Sequence, residues 1–525
     1  MRGLSVWKVG NGLMQIQRSV NAKRNIIWGL INKIICLLFP FLVRTIIIQK
    51  MGAEYLGLNN LFASILQVLS LSELGFSSAI VYSLYKPIAA NDTDTICVYM
   101  SFYRKAYRII GTVITSIGII LLPFLRYFIS GDVPDGINIY VLYTLYLLNT
   151  SIGYFAFAYK NAILNAHQRN DIVSNILTLT QGVMYIGQIC ILFLFKNYYI
   201  YLFIMPLCTT FNNLITAYFA NKLYPNYICK GSISSADLKQ IKTQIAGLMV
   251  HRICQTSRNS LDSIFISAFL GLHVVAVYSN YYYIMNAIIG ILSVFSNALV
   301  AGVGNSIVIE SVEKNYSDFK RINYLYMQIA GWCFICLLVL YQPFMRLWVG
   351  ENLMFDYKAV VLISLYFYVL KMGDIRGTYS DAAGLWWENR YRAIIESVIN
   401  VILNAVLVQV CGVYGIIIAT LISLFFVNFL SGSKIIFRYY FKGIKPTEFF
   451  LLHFKYFIVT SFIATITVLI SNKISGNLFI NLIGRFLACV FIPGILYLVV
   501  YGRTREFSES IGWLLKKLHR KSKVK

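Results

Sequence analysis

Charged side chains inside apolar segments are the residues of this sequence that are best placed to bind a ligand or an ion. Lys33 and Arg44 lie in the first apolar run, and Arg252, Arg258 and Asp262 lie in another near the middle of the chain. A charge at the centre of a bilayer costs roughly 2.5–3.5 kcal/mol, so such residues usually face a bundle interior or a watery cavity. Lys and Arg bind phosphate oxygens through charge-assisted hydrogen bonds. The pattern therefore predicts a site for an anionic ligand, with a diphosphate as one candidate.

The first apolar run carries its two cations on one side of a helix. Lys33, Pro40 and Arg44 are spaced so that all three share a face. The two cations are then about 16 Å apart along the helix axis. Lys33 and Arg252 fall at similar depths in their runs. Either both face an internal cavity, or both extend to the membrane surface.

Carboxylates in apolar runs are candidate proton or sodium sites: Glu73, Asp262, Asp374 and Asp381. Asp262 lies four residues after Arg258, so an alternative is that the two neutralise each other. Asp374 and Asp381 share a helix stripe with Lys371, which leaves an internal ion-pair cluster as an open alternative. For Glu73 the alternative is a hydrogen bond to a neighbouring helix.

Composition excludes several classes of protein. The chain has 525 residues, of which 58% are hydrophobic and 13% charged, and its net charge is +25. The Lys and Arg lie in short loops between apolar runs, which favours orientation in a membrane over nucleic-acid binding. The sequence has no GxxxxGK[ST] motif and hence no P-loop ATPase site. Cys333 and Cys336 form a CxxC pair inside a predicted span without a second pair, so we predict no metal and no cofactor.

Long apolar runs predict an all-α polytopic membrane protein with about 14 transmembrane helices. The predicted spans are 26–48, 56–84, 107–129, 138–159, 172–195, 198–220, 244–270, 275–308, 324–349, 358–384, 391–410, 413–437, 451–470 and 478–501. The basic N-terminal segment lacks the apolar region of a signal peptide. Alternating the spans from a cytoplasmic N-terminus puts most Lys and Arg on the cytoplasmic side, which predicts both termini in the cytoplasm.

The sequence repeats itself when it is shifted by about 220 residues. Met51–Leu58 aligns with Leu270–Val277, and the segment Leu122–Arg126 aligns with Gln342–Arg346. Each repeat holds six predicted spans, an even number, so both halves enter the membrane in the same direction as parallel lobes. The predicted organisation is a cytoplasmic segment (1–25), an N-lobe (26–222), a linker (223–243), a C-lobe (244–437), two extra helices (438–502) and a basic tail (503–525).

The segments Met51–Leu58 and Leu69–Ala79 are similar to the start of polysaccharide exporters of the MOP superfamily. The chain most resembles the O-antigen and capsule flippases, although Glu73 stands where members often have Asp. The resemblance implies a MATE-like fold in the bacterial inner membrane. It also implies transport of an undecaprenyl-diphosphate-linked oligosaccharide, with membrane lipid and other polysaccharide-assembly proteins as partners. Relatives bind the lipid headgroup with arginines on the first helix of each lobe. The corresponding helices here carry Lys33, Arg44, Arg252 and Arg258.

These observations predict a flippase that works by alternating access and is not an enzyme. The first rival is a multidrug exporter of the same superfamily, whose often cationic substrates call for an acidic cavity. The second is a membrane-embedded glycosyltransferase, polymerase or ligase. No predicted external loop exceeds about a dozen residues, which is short for a catalytic loop. A purely structural membrane protein does not account for the intramembrane charges.

Overall fold

The structure is a computed structural model that describes residues 35–70, 76–131, 133–234, 256 and 260–522. Every regular element within these ranges is a helix. Four of the predicted site residues lie outside the described ranges: Lys33, Glu73, Arg252 and Arg258.

The helices follow one another with short connections. They are α1 (35–50), α2 (Ala53–Leu69), α3 (Phe76–Ala89), α4 (Thr93–Leu121), α5 (Ile139–Phe155), α6 (Asn161–Ala166), α7 (Asn170–Leu194), α8 (Tyr198–Leu223), α9 (Ser260–Leu270), α10 (Leu272–Ile309), α11 (Val312–Trp348), α12 (Tyr357–Met372), α13 (Asp374–Ala382), α14 (Trp386–Cys411), α15 (Val413–Tyr439), α16 (Thr447–Ser471), α17 (Leu478–Tyr501) and α18 (Arg505–Ser522). We call α1–α8 the first half and α9–α15 the second half.

Polar caps set the start of many of these helices. Asp92, Asn138, Asn197, Asp356 and Asn477 each accept hydrogen bonds from backbone N–H groups one or more residues into the helix that follows. Such a cap satisfies donors that the first turn of a helix leaves without a partner. In a chain this apolar, the caps divide long hydrophobic stretches into separate spans.

Nine described helices are long and apolar enough to cross a membrane, or ten if the bent pair α5–α6 forms one span. Four further predicted spans do not each correspond to one such long apolar helix among the described residues. The first, second and seventh include residues outside the described ranges. The tenth is divided into α12 and α13 and contains Lys371, Asp374, Arg376 and Asp381. The fold therefore fits the predicted set of about 14 spans.

The two halves repeat the same helix starts. Gly52 precedes α2 with φ 117°, and Gly271 precedes α10 with φ 87°. Such backbone angles are open to glycine and strained for other residues. The two positions differ by 271 − 52 = 219 residues, which matches the shift found in the sequence. The fourth span of each half is also interrupted, by a 47° bend between α5 and α6 and by Gly373 between α12 and α13.

Close packing of α2 against α10 joins the two halves. A Cβ atom added at Gly57 of α2 would overlap the backbone carbonyl oxygen of Leu272 in α10. The absence of a side chain thus lets the two helices approach, as small residues do between membrane helices. This approach brings polar residues of α1, α2 and α10 to one place.

Candidate functional site

Arg44 of α1 lies where the two halves meet. Its Nη2 donates hydrogen bonds to Ser279 Oγ (2.7 Å) and Asn280 Oδ1 (3.1 Å), both on α10. Its Nη1 lies 3.5 Å from Asn60 Oδ1 on α2, and Asn60 Nδ2 donates to Ser279 Oγ at 3.0 Å. One guanidinium group therefore ties together three helices from the two halves.

An aromatic ring faces the Arg44 guanidinium, and two more pack against neighbouring residues of α1. The Arg44 Cζ atom lies 5.2 Å from the centre of the Tyr283 ring, a cation–π distance. The Tyr283 hydroxyl donates to the backbone carbonyl of Leu37. Trp348 of α11 donates to Thr45 Oγ1 at 2.7 Å and stacks on the ring of Phe41. The rings fix the orientation of α1 against the second half beside the charged group.

The Arg44 site lies on the axis that relates the two repeats. Asn60 and Ser279 are 219 residues apart, the same shift that relates Gly52 to Gly271. Equivalent positions of the two repeats therefore meet and form a hydrogen bond. A site at such an axis contacts both halves and senses any change in their relative position.

The partners of Arg44 in the described part of the chain are all neutral. Its hydrogen bonds go to amide and hydroxyl oxygens, and the ion pairs among described residues do not include it. Asn280 Nδ2 is a buried donor with no acceptor among those residues. The Arg44 side chain is partly exposed. Positive charge and spare donors at one point favour an anionic ligand.

Asp262 of α9 is the centre of a second polar site, inside the second half. Asn404 Nδ2 donates to Asp262 Oδ1 at 2.8 Å. The hydroxyls of Thr420 and Tyr278 each lie 3.3 Å from Asp262 Oδ2. Asn400 Nδ2 donates to Thr420 Oγ1 at 3.1 Å. All five side chains are buried.

The Asp262 site offers oxygen atoms of several kinds. Its carboxylate, two amide carbonyls and two hydroxyls come from four helices, α9, α10, α14 and α15. Asn404 Oδ1 is buried and accepts no hydrogen bond from the described residues. Oxygen ligands of this type suit a hard cation, and protonation of the carboxylate is the alternative way to neutralise its charge there.

The predicted stripe on the tenth span is only partly assembled. Lys371 Nζ lies 2.7 Å from Asp374 Oδ2, and the Tyr326 hydroxyl also donates to Asp374. Asp381 instead accepts a hydrogen bond from Trp386 Nε1 at 3.1 Å and is exposed. The structure thus pairs Lys371 with Asp374 and places Asp381 apart from that pair.

A buried charge network connects the tenth, eleventh and twelfth spans. Arg376 donates to Asn428 Oδ1 at 2.8 Å, and Asn428 Nδ2 donates to Glu396 Oε2 at 2.9 Å. Arg392 forms a 2.8 Å ion pair with the same Glu396 oxygen. Asn428 lies in the π-helical segment Ser423–Ser431 of α15, a geometry that often marks functional positions.

Sequence reasoning missed the neutral members of both polar sites. Asn60, Ser279 and Asn280 complete the Arg44 site, and Asn400 and Asn404 complete the Asp262 site. The last two offered a signal, because two asparagines four residues apart share a face of the apolar second part of α14. Nothing comparable distinguishes Ser279 before the packing of α2 and α10 is known.

Hydrogen bonds between the halves also occur away from Arg44. The backbone N–H of Ser130 donates to the carbonyl of Ser267 at 2.9 Å, next to the turn at 270–271. Gln67 accepts from Ser260 Oγ at 3.0 Å, near the end of α2 that is opposite to its start at Ala53. The described parts of the two halves are therefore in contact along the length of α2.

Solved structures of MOP-superfamily transporters share this fold. The lipid II flippase MurJ in an inward-closed conformation matches with a TM-score of 0.61 and 16% identity, over 91% of this chain and 98% of that one. An inward-facing multidrug-resistance MATE transporter of the MOP superfamily matches with a TM-score of 0.58 and 17% identity, over 76% and 93%.

A third match is a MOP-superfamily transporter from Pyrococcus furiosus, with a TM-score of 0.54, 15% identity and coverage of 82% and 99%. The reversed polarity of that protein's binding pocket suggests a different function for it. No family model and no curated protein matches the sequence. These likenesses confirm the predicted fold class: an all-α polytopic membrane protein of the two-lobed, MATE-like kind.

Proposed function

We propose that this chain is a MOP-superfamily flippase that moves a polyprenyl-diphosphate-linked oligosaccharide across the bacterial inner membrane for surface polysaccharide assembly. The observation that supports it most is Arg44, a cation between the halves whose described partners are neutral. A diphosphate supplies the missing negative charge through charge-assisted hydrogen bonds. The flippase fold of a neighbour adds support at the level of architecture.

In the proposed mechanism the headgroup binds between the lobes while the polyprenyl tail stays in lipid. Arg44 provides one side of the headgroup site, and Lys33, Arg252 and Arg258 are the proposed remaining cations. Rocking of the N-lobe (26–222) against the C-lobe (244–437) exposes the site first to the cytoplasm, where both termini lie, and then to the outer side. That movement breaks the hydrogen bonds between Arg44 and α10.

Ion coupling belongs to Asp262 in this proposal. Its carboxylate accepts hydrogen bonds from an amide N–H of α14 and from hydroxyls of α10 and α15, so binding of a sodium ion or a proton there changes contacts among four helices of the second half. Asp374 forms an ion pair with Lys371, which favours a structural role for Asp374. Glu73 and Asp381 remain further candidates for ion coupling.

A multidrug exporter is the second candidate, because MATE transporters share the fold. A cationic drug in the same place would meet the Arg44 guanidinium, and like charges repel in a desolvated site. Under this alternative, a cationic dye binds between the halves, and anionic lipids do not displace it.

Comparing the binding of lipids that differ in headgroup charge distinguishes the two candidate functions. We expect purified protein to bind a short-chain polyprenyl diphosphate at least about tenfold more tightly than the matching neutral polyprenol, since charge-assisted hydrogen bonds are worth about 1.5–3 kcal/mol each. Arg44→Gln should remove most of that preference. Lys50→Gln is the matched control, because Lys50 lies on the same helix and is exposed. Equal binding of both lipids, or tight binding of a cationic dye alone, would contradict the proposal.

A further inference from the structure

An apolar groove runs beneath the C-terminal helix α18. It has a volume of about 550 Å³ and lies among α10, α11, α17 and α18. Phe295, Ile329, Trp332, Leu498, Phe507 and Ile511 are among the residues that line it. The groove is therefore formed on one side by transmembrane helices and on the other by the helix that follows the last span.

The groove opens toward the lipid-facing surface of the bundle. Phe295 and Leu498 line it and are 55% and 58% exposed. Gly494 of α17 also lines it, and a Cβ added there would lie 3.7 Å from the Trp332 ring. Space next to a glycine, with exposed apolar side chains around it, fits a hydrocarbon chain.

Ion pairs hold the start of α18 against the transmembrane helices. Glu509 accepts from Arg505 at 2.6 Å and from Arg321 of α11 at 3.1 Å. Lys455 of α16 lies 3.2 Å from Glu506. The hydrogen bonds from Arg505 and then from Arg321 hold the pKa of the Glu509 carboxyl below its usual range. Both carboxylates of α18 are thus already matched by positive charge.

The sequence of α18 leaves an excess of positive charge toward its end. After Glu509 the helix carries Lys516, Lys517, Arg520 and Lys521 and no further acidic residue. Its apolar residues recur every three or four positions, which makes it amphipathic. An amphipathic basic helix directly after a span is typical of a helix that lies in the membrane interface and attracts anionic lipids.

We propose that α18 and the groove beneath it form a binding site for an anionic glycerophospholipid of the adjacent leaflet. One acyl chain fills the groove, and the phosphate lies near the basic end of α18. Charge complementarity favours this occupant over a zwitterionic lipid, whose ammonium group the basic helix repels. The site is separate from the Arg44 site, and the proposal does not depend on which molecule the protein transports.

Lipid retention by the purified full-length protein tests this site. We expect the protein to bind phosphatidylglycerol at least about tenfold more tightly than phosphatidylcholine with the same acyl chains. The combined variant K516Q/K517Q/R520Q/K521Q should lose that preference. Gly494→Leu, which fills the groove, should weaken binding of both lipids several-fold. Native mass spectrometry with each lipid measures both effects.

Val499→Leu is the control for the groove variant, because Val499 lies on the same helix and is 73% exposed outside the groove. It should bind both lipids as the unchanged protein does. Equal binding of the two lipids, or an unaltered preference in the charge variant, would overturn the proposal. Displacement of phosphatidylglycerol by a polyprenyl phosphate would also overturn it, because the groove would then belong to the transported lipid.

Discussion

Arg44 and Asp262 differ in how each charge is accommodated. Arg44 is surrounded by acceptors from Asn60, Ser279 and Asn280, and its side chain is partly exposed. Asp262 is enclosed, and donors from three helices bind its carboxylate. The partly exposed cation suits a large ligand that comes and goes. The enclosed carboxylate suits a small ion or a proton.

We expect Asp262→Asn to uncouple transport from an ion gradient. The amide has nearly the same shape but carries no charge, so the site loses most of its attraction for a cation or proton. Flipping rates measured with and without a sodium or proton gradient should differ several-fold in the unchanged protein and should be equal in the variant.

Asp135→Asn provides the control for this measurement, because Asp135 is an exposed carboxylate between α4 and α5. Its gradient dependence should be that of the unchanged protein. A full gradient response in Asp262→Asn would exclude Asp262 as the coupling site.

Helix starts and ends were predictable to different extents. The predicted spans 198–220 and 478–501 agree closely with α8 and α17. The third predicted span begins at 107, whereas α4 begins at Thr93. Asp92 caps that helix, and its first turns carry Arg104 and Lys105. A hydropathy window excludes such residues, although they are helical.

The site was predictable only in its charged residues. Arg44 and Asp262 stand out in the sequence because charges in apolar runs are costly. The neutral side chains around them acquire a role only through packing: Ser279 reaches Asn60 because Gly57 lets α2 approach α10, and both then contact Arg44. That approach depends on a contact between residues more than 200 positions apart, which periodicity does not reveal.

We expect Gly57→Ala to weaken the contact between α2 and α10. The added Cβ would overlap the carbonyl oxygen of Leu272, so the backbones must separate at a cost of about 1–3 kcal/mol. Thermal unfolding in detergent should begin at a lower temperature, and transport should fall.

Gly182→Ala is the matched control within α7, since a Cβ at that position meets no atom within 4 Å. Replacing a helical glycine by alanine should there be neutral or stabilising by up to about 1 kcal/mol. Equal stability of the two variants would show that the α2–α10 contact is not tight.

At the scale of the whole molecule, the two halves meet through equivalent positions. Asn60 and Ser279 are related by the repeat and bond to each other across the two halves. Rocking that separates the halves at this place requires the bond to break and reform. A covalent link at these positions therefore tests the movement and leaves each half intact.

We expect a disulfide between Asn60→Cys and Ser279→Cys to stop transport, provided that the ten native cysteines are first replaced. Reduction should restore the rate. The control pair is Thr115→Cys and Ser151→Cys, whose hydroxyls lie 2.7 Å apart within the first half. Cross-linking that pair should leave transport unchanged, because α4 and α5 move together. Transport by the cross-linked Asn60–Ser279 pair would contradict a rocking mechanism.

Transfer of a labelled lipid between leaflets is the most direct measurement of the proposed function. Proteoliposomes would carry a fluorescent polyprenyl-diphosphate-linked oligosaccharide, and a membrane-impermeant quencher would report the leaflet that holds it. We predict that the protein equilibrates the label across the bilayer, while Arg44→Gln does so at least about tenfold more slowly and Lys50→Gln at the normal rate. A label that stays in its original leaflet, or full activity of Arg44→Gln, would contradict the account.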